Sequence, residues 1–202
     1  QLISGRRIGY LRISEDTFIK SPFLDTRILQ GVKEKFLYAN SIEVANSLRE
    51  AKINVKKDLI HIFHLSHVGS TFVSKLLESA NETKVLREPN ILRDFTREYL
   101  EINRFSSEYK KYELDALLNG ILKSFVNGKQ SKVVIKHTSG NLSLPIGYND
   151  IENINQKEVL LYTNLEKFLS HSITSDGLRP DAEGNVKTRL KYFNKICLSN
   201  SF

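Results

Sequence analysis

A single cysteine, Cys197, stands in 202 residues, so no disulfide can close within the chain. That composition fits a reducing compartment, and the cytoplasm is the expected location. No apolar run approaches the roughly 20 residues that a membrane-spanning helix needs. Although 30 Lys and Arg outnumber 23 Asp and Glu for a net charge of +7, no block of five or more like charges occurs. The excess is diffuse; it suits an anionic ligand and argues against a nucleic-acid tail. The 8 Tyr and 11 Phe follow helical stripes rather than a base-stacking pattern, so no nucleic-acid platform is expected. Internal repeats and low-complexity tracts are lacking. The opening "QLISGRRIGYLRIS" has no signal-peptide core and no Met, and "ICLSNSF" ends the chain just after a helical pattern. Both ends are expected to be those of a fragment, with the carboxyl end truncated.

What is present is a core-forming composition, 40% apolar and 26% charged, of a size that favours one domain with a small appendage. Residues 1–52 read as an extension of short strands and loops with one helix, which Ser41 would cap over 42–51. Residues 53–202 read as an α/β domain. In it "DLIHIFHL" (58–65) is apolar on both faces, the mark of a central parallel strand covered by helices. Helices are expected at 71–80, 90–102, 108–126, 164–174 and 186–198, the fourth of these capped by Asn164. Further strands are expected at 83–89, 132–137 and 158–163. The alternation predicts a three-layer α/β sandwich around a mostly parallel sheet, with ligands at the carboxyl ends of its strands.

One stretch carries chemistry. In "FHLSHVGSTFVSKLL" (63–77) an apolar strand stops at a loop of small residues and an amphipathic helix follows. Gly69 lets the main chain approach a ligand, Ser70 and Thr71 offer hydroxyls, and the first-turn N–H groups with the helix dipole attract an anion. A nucleoside-triphosphate loop places Gly-Lys here; this chain has Gly69-Ser70, which makes ATP or GTP hydrolysis improbable.

The stretch, with "LREP" (86–89) after it, resembles the phosphosulfate loop of sulfotransferases that use PAPS (3′-phosphoadenosine 5′-phosphosulfate), in particular a largely bacterial branch with H-x-G-S-T loops and an R-E-P segment. The resemblance implies a P-loop-type α/β fold, PAPS as co-substrate, and a cradle of His67, Val68, Gly69, Ser70 and Thr71. His67 occupies the place of a lysine in many members. An Arg, then a Ser three residues on, binds the nucleotide 3′-phosphate in the family; Lys167 and Ser170 offer that spacing here, while the position of a further family arginine is Tyr162.

Sulfuryl transfer needs an acceptor oxygen aligned with sulfur, a proton acceptor, and charge neutralisation at the bridging oxygen. Glu88 is the first candidate base, His67 a donor to the bridging oxygen or sulfate, and His137, beside Lys136 at the end of the third strand, a group at the acceptor. The unperturbed pKa of His67, about 6.5, predicts tighter anion binding as pH falls. His61, His64 and His67 form H-x-x-H-x-x-H, but 61 and 64 face opposite sides of a strand, so core histidines are expected and no metal. Cys197 reads as a packed core thiol. The leading expectation is therefore an enzyme moving a sulfuryl group from PAPS to a hydroxyl or amine of a small-molecule or glycan-type acceptor. The alternatives are a P-loop small-molecule kinase-like phosphotransferase and a catalytically inactive domain that binds a nucleotide or partner.

Overall fold

The computed structural model describes residues 2–3, 6–11, 14, 17–18, 21, 23–24, 37–50, 52–65, 68–80, 82–102, 110–144, 151–167 and 170. The chain divides into two compact units, one of residues 1–65 with 69–161, the other of 66–68 with 162–202.

The first unit contains two sheets. Strands β1 (Leu2–Ile3), β2 (Arg7–Tyr10) and β3 (Leu37–Asn40) form a small antiparallel sheet in that order. Helix α1 (Ser41–Glu50) follows directly. Asn40, not Ser41, caps it: the Asn40 side-chain oxygen accepts the N–H groups of Ile42 (2.9 Å) and Glu43 (3.4 Å), as an N-cap amide should. Ser41 is instead fully buried, its N–H held by the Arg6 carbonyl.

The second sheet has four parallel strands, β4 (Lys57–His64), β5 (Thr83–Arg87), β6 (Lys132–Lys136) and β7 (Ile154–Leu161), in the order β5-β6-β4-β7. The runs that fill it are short, apolar and rich in β-branched residues. Strand β7 begins at Ile154, four residues before the apolar run that announces it. Its first turns of sequence are polar because their side chains pair sideways: Asn155 donates to Asp58 (2.7 Å) and Gln156 meets His61 (3.2 Å).

Helix α2 (Ser70–Glu78) covers one face, where Val73 and Leu77 pack on Ile62, Val85 and Val134. Helices α3 (Asn90–Ile102) and α4 (Lys111–Val126) belong to the larger core on the opposite face. There Leu59, Phe63, Val133 and Ile135 meet Leu114, Leu117, Leu118, Ile121 and Leu122. The result is a three-layer α/β arrangement. The N-terminal segment shares this core, since Ile8 and Ala45 lie in the same cluster. Arg6 also pairs with Glu113 of α4 (3.3 Å), and α1 lies so close to α4 that a Cβ on Gly120 would stand 3.0 Å from Leu48 Cβ.

Of the second unit, residues 162–167 and 170 are described together with Val68. Asn164 caps a short helical stretch there, accepting the N–H groups of Glu166 (2.8 Å) and Lys167 (3.4 Å). The helix expected over 186–198, and Cys197 within it, lie outside the described residues. Among the described residues no helix is long and apolar enough to cross a membrane.

Candidate functional site

Period-2 alternation decides what each strand presents at its carboxyl end. On the α2 face the rows Ile60–Ile62–His64, Val134–Lys136 and Val85–Arg87 run side by side, apolar below and basic at the top. Thus β4, β6 and β5 each end on a cation or a histidine, and all three are buried: His64 is 6% exposed, Lys136 1% and Arg87 2%. Burying three such groups is costly unless each finds partners. Strand β4 is also where the strand order reverses: the chain passes from β4 beyond β6 to β5, returns to β6, and then crosses β4 to β7. Ligands of open α/β sheets bind outside the carboxyl ends at such a point.

Helix α2 starts beside this row. Its N-cap is Gly69, left-handed at φ 76°, with no side chain capping the first turn. A Cβ built on Gly69 meets nothing within 4 Å, so the main chain there borders open space. Ser70 is buried and Ser74, one turn on, donates to the Thr71 carbonyl at 2.8 Å. An uncapped helix start with a left-handed glycine directs N–H groups at whatever sits in that space.

Glu88 follows β5 in a left-handed conformation, φ 53°. For a residue with a side chain this costs about 1–2 kcal/mol and persists only where its surroundings enforce it. They do so here twice: the Glu88 N–H donates to the Lys136 carbonyl at 2.7 Å, and the Glu88 carboxylate forms an ion pair with Lys136 Nζ. The Phe23 ring lies 5.5 Å from the same ammonium. Arg87 donates to Glu78 (2.5 Å) and to the carbonyl of Ser21 (2.6 Å). Ser21 and Leu24 thus strap the end of β5, Leu24 by exchanging main-chain bonds with Arg87 and Asn90.

The remaining expected site residues fall elsewhere. Odd positions of β6 face the large core, so His137 points away from α2. Its ring is 0% exposed, stacks on Phe63 with centroids 4.4 Å apart, and shares a 3.0 Å hydrogen bond with His61. Burial, then the nearby His61, His64 and Lys136, hold its pKa well below 6.5. Both of its ring nitrogens are engaged, Nε2 by His61 and Nδ1 by the Asn141 amide at 3.4 Å. His61 is likewise internal, bonded to His137 and Gln156, and burial lowers its pKa to about 4. His67 lies outside the described residues. Val68 is half-buried, and Lys167 and Ser170 are exposed, in the second unit.

The sequence alone places His64 among core histidines and shows Arg87 only as part of the R-E-P segment. The signal that finds both is simple: "DLIHIFH", "TKVLR" and "KVVIK" are three buried apolar runs that each end on a basic residue. No family model, curated protein or solved structure matches the chain. Its fold and site define a parallel α/β protein with a glycine-opened helix start over a buried basic row.

Proposed function

We propose that this protein is a sulfotransferase-like enzyme of P-loop type that moves a sulfuryl group from PAPS to a hydroxyl or amine. The observation that carries the reading is Gly69: a left-handed, uncapped opening of α2 against empty space, at the carboxyl end of β4. In this reading the amides of Gly69, Ser70 and Thr71 cradle the phosphosulfate. Lys136 supplies positive charge for the bridging oxygen as the sulfur–oxygen bond breaks. Glu88 orients Lys136 through their ion pair. Lys167 and Ser170 keep the i,i+3 spacing that suits a second phosphate.

The test is thermal unfolding with PAP, the desulfated product. Binding at 100 times Kd adds about 2.7 kcal/mol, a rise of roughly 5–10 °C for a chain of this size. A folded protein that shows no shift at millimolar PAP rejects the proposal. A shift with ATP and Mg²⁺ in place of PAP transfers the site to a kinase-like phosphotransferase. A PAP shift without turnover of PAPS leaves an inactive nucleotide-binding domain.

A further inference from the structure

Among the described histidines, one ring nitrogen lacks a hydrogen-bond partner. His64 Nδ1 lies 2.9 Å from the Leu65 carbonyl oxygen. A carbonyl only accepts, so Nδ1 carries the proton and Nε2 presents a lone pair. That Nε2 is buried and meets no hydrogen-bond partner among the described residues. The main-chain carbonyl of His137 and the charges of Lys136 and Glu88 bear on the ring, and burial, the largest influence, keeps it below its ordinary pKa. The other candidates for moving a proton are engaged. The Glu88 carboxylate holds Lys136 Nζ. His137 Nε2 and His61 Nδ1 hold each other, and His61 Nε2 meets Gln156. His137 Nδ1 faces the Asn141 amide at 3.4 Å.

A lone pair fits a donor and repels an anion oxygen, so the partner missing from His64 is a hydroxyl or an amine. His64 ends β4 on the face that α2 covers, beside Lys136 in the neighbouring strand. We infer that His64 Nε2 is the proton acceptor of the site, a role that rests on the sulfuryl-transfer reading. The acceptor O–H bond breaks and its proton passes to Nε2. The freed electron pair forms the new oxygen–sulfur bond. The bond from sulfur to the bridging oxygen breaks, and its electrons leave on the 5′-phosphate of PAP.

Two measurements on the whole chain test this. Ring-nitrogen NMR at pH 7 should find His64 neutral with its proton on Nδ1; a proton on Nε2, or a charged ring, overturns the role. His64→Asn keeps an N–H for the Leu65 carbonyl and removes Nε2. It should retain the PAP-induced thermal shift while transfer from PAPS to 2-naphthol, or to water, falls at least 100-fold, the lower range of a lost general base. Transfer within threefold of the unaltered protein overturns the inference, as does PAP binding by the unaltered protein with no transfer to either acceptor. Absence of the PAP shift in the unaltered protein is a different failure, that of the sulfuryl-transfer reading itself.

Discussion

Strand β6 begins and ends on a lysine, and the two could hardly be treated more differently. Lys132 and Lys136 stand on the same face of the sheet, four residues apart. Lys132 is exposed; Lys136 is 1% exposed and paired with Glu88. The contrast extends across the strands. At the amino ends Lys57 reaches the carbonyls of Gly128 and Gln130, and Asp58 is approached at 3.9 Å by Lys157 from mid-strand in β7, both lysines with access to water. At the carboxyl ends His64, Arg87 and Lys136 are all buried. A solvated lysine needs no explanation, because water satisfies it. Three buried basic groups in a row, beside a strained Glu88 and an uncapped helix start, are expensive to maintain and set this end of the sheet apart from the other.

The sharpest test of this contrast replaces each lysine by the same residue. Lys136→Met leaves the Glu88 carboxylate without its ammonium and should lower the unfolding free energy by about 3–5 kcal/mol. Lys132→Met should change it by less than about 0.5 kcal/mol. Denaturant midpoints measure both, and Lys136→Met with Glu88→Leu should recover most of the loss. Similar midpoints for the two single variants would erase the distinction between the ends.

The buried histidines predict a pH dependence. The unfolded chain protonates His61 near 6.5, whereas burial lowers the folded value to about 4. The unfolded state therefore binds the extra proton between those values. Stability should be greatest above pH 6.5 and fall toward pH 4 by on the order of 3 kcal/mol from this group. His61→Gln should flatten the urea-midpoint profile in that interval; an unchanged slope would mean the ring is not held neutral.

Gly69→Val separates the site from the fold. The left-handed backbone costs a β-branched side chain about 1–3 kcal/mol, yet nothing within 4 Å of the new Cβ opposes it. The variant should fold and lose the PAP shift. At Gly120 the space is absent, since Leu48 Cβ is 3.0 Å away, so Gly120→Ala should destabilise by about 1 kcal/mol or more without touching PAP binding. Retention of PAP binding by Gly69→Val would return the turn to ordinary status. The smallest effect is expected far from the sheet ends: Asn40→Ala removes the cap of α1 and should cost about 1 kcal/mol by thermal unfolding.

Much of the frame was legible from sequence periodicity. Helix α3 falls on the stretch expected for it, and β4 lies in the interior of the sheet, because "DLIHIFHL" is apolar on both faces. The start of β7 was illegible because Asn155, Gln156 and Lys157 look like loop residues until Asp58 and His61 are seen opposite them. The site was half legible. Gly69, Ser70 and Thr71 announce themselves by order along the chain. The expectation for His137 rested on its position after β6, and position alone did not say which face its ring would take.

The sequence by itself determined the α/β alternation, the left-handed glycine that opens α2, and the basic residue that closes each of β4, β5 and β6. These follow from local preferences: hydrophobic period, chain sterics at glycine, and the end of an apolar run. Only the tertiary structure decided that the three closing residues lie side by side, that Glu88 is tied to Lys136, and that His64 keeps a buried nitrogen unpaired while His61 and His137 occupy each other. Strand order and register bring together groups distant in sequence, and whether a buried polar atom has a partner depends on that assembly.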